Sequence, residues 1–379
     1  MGSRATVSIA PCASYGPEML NAVRQALSLL PDEALPVCGG RRVLIKPNLL
    51  TARRPEEAVT THPALVRALI RLVREWGGLP CVADSPANAV SVQKVWDSTG
   101  FRAMCHEESV PLLNLEKAGS ECCTVGRYSF TVAKPVLEAD VIINVPKVKT
   151  HVLTTLTGAV KNMYGVVPGF QKTGLHKAFP SRRGFGELLA AIYSRIPPHL
   201  SVADGVLGME GPGPAGGVPR RMGFLAASTD GVALDRVLCG ILGINPVEVP
   251  VFRPLARMGI GTSDLSRIEV AGLPIAEIAP ECFRAPGPLR SRLIPVGLVR
   301  LLDPFLWIRP AFTESCVSCG LCARACPVNA LQVEEGRRPQ LDTSKCIGCC
   351  CCHEICPHRA VRMRHSLLLW LARGGKGND

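Results

Sequence analysis

Residues 1–285 alternate between short apolar runs and longer stretches whose apolar positions recur at helical spacing. The runs Thr6–Ala10, Arg42–Lys46, Leu79–Ala83, Val141–Val145, Leu200–Ala203, Gly223–Ala227 and Arg267–Val270 predict strands. Most are short, apolar and β-branched, as strands buried on both faces of a parallel sheet are. Between them, Pro17–Leu30, Pro63–Trp76, Val92–Ser98, Gly184–Arg195 and Asp230–Leu242 predict helices. Thr61 or His62 is placed to cap the second helix, with Pro63 in its first turn. This alternation predicts an α/β layered domain over 1–285 with a mostly parallel sheet. Residues 121–136 read as an antiparallel excursion, which would make the sheet mixed.

The pattern changes after residue 285. Residues 286–312 are apolar and basic, rich in proline and glycine, and read as a linker. Two matching cysteine runs follow within 313–365: Cys316, Cys319, Cys322 and Cys326-Pro327, then Cys346, Cys349, Cys352 and Cys356-Pro357. Three thiolates at this spacing wrap one iron–sulfur cube, and the fourth, before proline, serves the other. Cys316, Cys319, Cys322 and Cys356 are therefore expected to hold one 4Fe–4S cluster. Cys346, Cys349, Cys352 and Cys326 are expected to hold the second. Structural zinc pairs two CxxC knuckles across a longer loop, which fits these quartets poorly. The segment resembles the bacterial two-cluster ferredoxin, a small α+β iron–sulfur domain. Residues 366–379 form a tail whose end, Gly374 to Asp379, is polar and glycine-rich.

Bulk composition adds bounds rather than chemistry. The chain has 379 residues, 47% hydrophobic and 20% charged, enough for two or three domains with ample core. Its formal charge is +12, and two oxidised cubes with their thiolates lower this to about +8. That excess suits an anionic small molecule or an acidic electron donor, and equally a solvated surface. Aromatic residues make up 5% and no lysine–arginine tract occurs, so nucleic acid is not an expected partner. Ten of the eighteen cysteines fall outside the two quartets, among them Cys350, Cys351, Cys122 and Cys123. Chain length, cluster spacing and the absence of an apolar h-region at the start point to a reducing, cytoplasmic setting. The Met-Gly-x-x-x-Thr start matches a myristoylation pattern through Gly2 and Thr6, but Thr6 opens the first strand. No apolar run reaches spanning length. Leu289–Trp307 comes nearest, interrupted by Arg290, Arg292, Arg300, Asp303, Pro295 and Pro304. It reads as a docking linker or a segment for peripheral membrane contact.

The first domain is polar where its strands end, the edge where open α/β sheets bind ligands. These segments are Lys46-Pro47-Asn48, Asp84-Ser85-Pro86, Asn144 to His151, Gly158 to Gly165, and Asp204-Gly205 followed by Glu210 to Pro214. Together they resemble the family known as domain of unknown function 362, over roughly residues 5–275. That resemblance implies membership and little chemistry. The residues themselves point further. Lys46, Lys147, Lys149 and Lys161 suit phosphate or carboxylate, and Asn48, Asn144 and Asn162 suit orientation of a ligand. His151 and Glu210 are the expected proton-transfer groups, with His62, His176, Asp84 and Asp204 as further candidates. Lys46-Pro47-Asn48 also reads as a plain turn, His62 as a helix cap and Asp230 as another. The glycine–proline run 208–219 reads as a lid or a close approach of backbone to ligand. No nucleotide fingerprint occurs.

The leading expectation is an oxidoreductase. A ferredoxin or flavodoxin-type donor would feed two 4Fe–4S clusters, which reduce an anionic substrate or cofactor in the first domain. That domain has room for a further organic cofactor or a metal. The alternative is a non-enzymatic redox relay subunit or a metallocofactor assembly factor.

Overall fold

The computed structural model describes residues 4–87, 89–285 and 307–367. Gly2, the expected 286–312 linker as far as residue 306 with nearly all of the Leu289–Trp307 segment, and the tail beyond 367 lie outside the described residues; the linker's last residues, Ile308–Phe312, form a strand.

A ten-stranded sheet organises the large region. Its strands are β1 (Ala5–Pro11), β2 (Arg42–Pro47), β3 (Leu79–Asp84) and β4 (Leu112–Asn114). β5 (Ser120–Val125) and β6 (Tyr128–Ala133) form a separate antiparallel hairpin. The sheet resumes with β7 (Val141–Val145), β8 (Lys147–His151), β9 (Thr155–Thr157), β10 (Leu200–Glu210), β11 (Val218–Ser228) and β12 (Ile268–Gly272). The order is β12-β1-β11-β10-β7-β2-β3-β4, with β8 beside β10 and β9 beside β8. The sheet is mixed, but residues 121–136 are not the cause. β11 runs antiparallel to both β1 and β10, and β9 runs antiparallel to β8.

Alternating side chains explain why helices cover both faces. Along β2, Val43 and Ile45 enter one core with helices Met19–Ser28 and Pro63–Glu75. Leu44 enters the opposite core with helices Arg182–Arg195 and Gly231–Ile241. Helix Pro63–Glu75 buries Leu65, Val66, Leu69, Ile70, Leu72 and Val73 in a single stripe. His62 Nδ1 accepts the Ala64 N–H at 3.2 Å, so His62 rather than Thr61 caps it. Asp230 likewise caps helix Gly231–Ile241.

The C-terminal region is small and repeats itself. β13 (Ile308–Phe312) pairs antiparallel with β16 (Val361–His365), and β14 (Leu331–Gln332) pairs with β15 (Gln340–Leu341). Short helices Leu321–Arg324 and Cys351–Ile355 follow the two cysteine turns. No helix among the described residues is long and apolar enough to cross a membrane.

Candidate functional site

Each cysteine quartet lines a cavity of its own. Cys316, Cys319, Cys322 and Cys356 surround about 330 Å³ walled by Phe312, Leu321 and Val361. Cys326, Cys346, Cys349 and Cys352 surround a second cavity of about 330 Å³, walled by Leu331, Ile347 and Met363. The chemistry of both donor sets, four thiols in an apolar cage, fits a 4Fe–4S cube. A lone metal ion fits less well: no three cysteine, histidine or carboxylate side chains among the described residues converge on one ion's position. Backbone amides serve both quartets alike, since Ala330 N–H donates to Cys326 Sγ and Ala360 N–H to Cys356 Sγ, each at 3.3 Å. Such bonds stabilise added negative charge on the sulfur and raise a cluster's potential.

β2, β3, β7 and β10 run parallel, so their C-terminal ends share one edge of the sheet. A cavity of about 710 Å³ sits there. Lys46, Asn48, Asp84, Ser85 and Asn162 form its floor, and Lys161, Tyr164, Lys172 and His176 rise beside it. Its remaining wall is Ala325, Cys351, Glu354 and Ile355 of the C-terminal region. The cavity therefore lies between the sheet edge and the cysteine-bearing region.

The floor is internally satisfied. Lys46 Nζ donates to Asp84 Oδ1 at 2.8 Å and to Pro47 O at 3.1 Å. The other Asp84 oxygen accepts the Leu49 N–H at 2.7 Å. A Cβ on Gly165 would stand 2.4 Å from Lys46 Nζ and 2.5 Å from Asp84 Oδ1, so a larger residue in the 163–166 turn would displace this pair. Asn48 Nδ2 donates to Asn162 Oδ1 at 2.9 Å, and Asn162 Nδ2 to Asn144 Oδ1 at 2.7 Å.

The side walls are less fully paired, although Tyr164 Oη donates to Lys172 O at 2.9 Å. Lys161 makes no hydrogen bond or ion pair among the described residues; its ammonium stands 5.7 Å from the centre of the Tyr164 ring. Burial lowers its pKa, against the pull of Glu354. Lys172 Nζ donates to the carbonyls of Ser85 and Pro86. Burial brings it down to about 8, opposed by Asp84. His176 stacks on Phe185 at 4.3 Å and meets Tyr164 edge-on at 5.7 Å. Burial lowers its pKa to about 4, so it is a neutral imidazole at neutral pH.

Several expected ligand-binding residues do not reach this cavity. Lys147 turns to the Asp204 carboxylate at 2.9 Å and Tyr15 Oη at 2.8 Å, fully buried. Lys149 donates to Asn48 Oδ1 at 2.9 Å and Val59 O at 2.5 Å. Burial, then Lys161, drives its pKa well below the usual lysine value. Asn144 lies behind the floor, donating to Ala159 O at 3.0 Å. Glu210 is committed to Arg284, at 3.0 Å from its Nε and 3.2 Å from its backbone N–H, away from the cavity. The strand alternation and the distant carboxylates that turn these groups inward were invisible in the local sequence.

His151 is also withdrawn from the cavity, yet it meets the C-terminal region. Its Nδ1 accepts backbone N–H groups of Leu153 (3.0 Å) and Thr154 (3.3 Å), leaving the proton on Nε2. Nε2 lies 3.1 Å from Glu354 Oε1, but neither atom has a well-directed hydrogen bond. Burial, reinforced by Lys161, lowers the His151 pKa to about 3. Arg53 ties the regions together elsewhere, donating to Cys356 O at 2.8 Å. His353 Nε2 lies 2.8 Å from Pro212 O, and a Cβ on Gly216 would stand 2.5 Å from the same ring. The glycine–proline run thus packs against the C-terminal region. Lys172, Tyr164, Cys351 and Glu354 line the cavity but were not singled out as ligand groups. The helix Gly169–Ala178 that carries Lys172 has too little apolar periodicity to show.

The family model described as a domain of unknown function (DUF362) matches residues 43–240. The 4Fe-4S binding domain model matches residues 312–332, the first cysteine run. A curated thylakoid-associated protein of Synechocystis sp. is 37% identical over 257 residues, which are 67% of this chain and 80% of that one. The lactate racemase apoprotein of Thermoanaerobacterium thermosaccharolyticum aligns at 12% identity and TM-score 0.38, over 62% of this chain and 56% of its own. A Thermotoga maritima protein aligns at 13% identity and TM-score 0.35, over 56% and 55%. This chain thus spans little more than half of either solved structure.

Proposed function

The chain belongs to the family of the domain of unknown function 362 and carries a 4Fe–4S binding region, and from that premise we propose that it is an oxidoreductase. A ferredoxin or flavodoxin-type donor supplies electrons to two 4Fe–4S clusters, and an anionic substrate or cofactor in the 710 Å³ cavity receives them. Cys316, Cys319, Cys322 and Cys356 hold one cluster; Cys326, Cys346, Cys349 and Cys352 hold the other. The clusters contribute one-electron steps. The observation that carries this reading is the cavity's composition. One wall is the helix Cys351–Ile355, whose Cys352 belongs to a cluster quartet; the facing side offers Lys161 and Lys172. Lys46, Asn48 and Asn162 shape the ligand's floor, Asn144 and Lys149 hold that floor from behind, and Lys147 is paired with Asp204 beyond it. Peripheral contact with a membrane, from a cytoplasmic location, suits the thylakoid association in the Synechocystis relative's name.

Anaerobic purification with iron and sulfide analysis and native mass spectrometry tests this. The expected result is about eight irons and eight sulfides per chain, plus one small anion that a Lys161→Met variant loses while keeping its iron. Two clusters with no bound molecule, in chain and variant alike, would favour a relay or assembly role instead.

A further inference from the structure

The cavity's charges do not cancel. Lys46 is neutralised by Asp84 within a buried pair. Lys161 and Lys172 have no carboxylate within ion-pair distance among the described residues, and Glu354 is the other acid in the lining. Among the lining side chains alone, one positive charge is left over; Glu116, outside the lining, also pulls on Lys172. Lys172 is 8% exposed, and a charge so far from water is stable only with a partner. Among the described residues Lys161 uses none of its three N–H donors in a hydrogen bond, its ammonium standing 5.7 Å and 6.0 Å from the Tyr164 and Phe185 ring centres, and Lys172 has one donor beyond its two carbonyl bonds. The rest of the lining divides between a polar set, Asn48, Ser85, Asn162, Thr173 and Cys351, and an apolar or aromatic set: Leu50, Ala87, Tyr164, Ala325, Ile355 and the neutral ring of His176.

We infer that the occupant is a monocarboxylate with a flat, unsaturated body. Its carboxylate lies with Lys161 and Lys172, and its body lies along Tyr164 and His176. A single negative charge restores neutrality, whereas phosphate near pH 7 would overshoot it. Aromatic walls favour a flat π-system, packed offset or edge-on. The inference rests on reading the cavity as the electron-accepting site, and it narrows that site's ligand to one chemical class.

Cinnamate is the probe, titrated calorimetrically without oxygen into the full cluster-loaded chain beside cinnamide, its neutral counterpart, and inorganic phosphate. Cinnamate should bind, with cinnamide and phosphate weaker by about tenfold or more. Lys161→Met and Lys172→Met should each weaken cinnamate about tenfold to a hundredfold, with the cluster absorption unchanged. The probe series on the unaltered chain decides charge selectivity even where a variant fails to load clusters. Cinnamide binding as well as cinnamate, tighter phosphate, or no binding of cinnamate overturns the inference. So do variants that bind cinnamate like the parent while shifting a cluster's midpoint potential, because the lysines would then be counter-charges for the cluster. Electron paramagnetic resonance of the reduced chain separates the two readings. Cinnamate that binds selectively yet leaves both cluster signals unchanged keeps the carboxylate class and overturns electron delivery to this cavity.

Discussion

Lys147→Met separates a structural lysine from a ligand-binding one. Lys147 and Asp204 are both fully buried and 2.9 Å apart. Methionine keeps the apolar stem but removes the charge, leaving the Asp204 carboxylate without its cation. Breaking a buried pair by removing one partner typically costs about 3–5 kcal/mol. Asp204 would keep two hydrogen bonds, from Tyr15 Oη at 2.7 Å and the His62 N–H at 2.9 Å. Those bonds place the expected loss at the lower end, about 3 kcal/mol. Urea unfolding of the cluster-loaded chain, followed by circular dichroism without oxygen, measures it. Adding Asp204→Asn should recover much of the loss, because the amide needs no counter-charge. Anion affinity of the cavity should stay at the parent value throughout, since Lys147 faces Asp204 and not the cavity. A Lys147→Met chain as stable as its parent but unable to bind the anion would refute this reasoning.

Two further outcomes follow from the same geometry. His176 titrates near 4 when folded and near 6.5 when unfolded, so the unfolded chain binds its proton first as pH falls. Its contribution to stability is therefore present above pH 6.5 and lost on descending toward 4, by about 2 kcal/mol between pH 7 and 5. His176→Phe, which preserves the stacking on Phe185, should lose that much less in urea unfolding over this range; identical pH slopes would contradict it. Separately, Cys349→Ser should lower bound iron toward about half, whereas Cys351→Ser should keep the full complement. Iron and sulfide analysis decides, and equal losses would count against the ligand assignment. Cys349 lines a cluster cavity, while Cys351 lines the cavity with Lys161.

What was legible in the sequence follows from how local each signal is. β2, β3 and β7 are short apolar runs, and their placement needed no distant information. β10 and β11 extend well beyond the apolar runs that announce them. Gly205, Gly208 and the arginines Arg220 and Arg221 hide the extension, and the register shifts between Gly205 and Leu207. β8 reads Lys-Val-Lys-Thr-His, which looks like a solvated cleft segment, yet all five residues are buried. The lysines there are tolerated because Asp204, Asn48 and Val59 O, all distant in sequence, meet them. A lysine paired inward and a lysine offered to a ligand look alike in one sequence. This is why Lys147 and Lys149 read as ligand residues and Lys172 went unnoticed.

The cysteine repeat was the easiest feature to read, and its imperfections carry the functional information. At an offset of thirty residues the backbone repeats its left-handed positions: Ser318 with Gly348, Gly320 with Cys350, Asn329 with Arg359. The cluster cysteines repeat as well. The two short helices differ at every position except the cysteine. Leu321, Ala323 and Arg324 of the first correspond to Cys351, His353 and Glu354 of the second. Arg324 is exposed, whereas His353 and Glu354 are buried. All three second-half residues face the large region: Cys351 and Glu354 line the cavity, and His353 meets Pro212 O. These contacts, absent from the corresponding Leu321, Ala323 and Arg324, mark Cys351, His353 and Glu354 as residues of the junction rather than of cluster ligation.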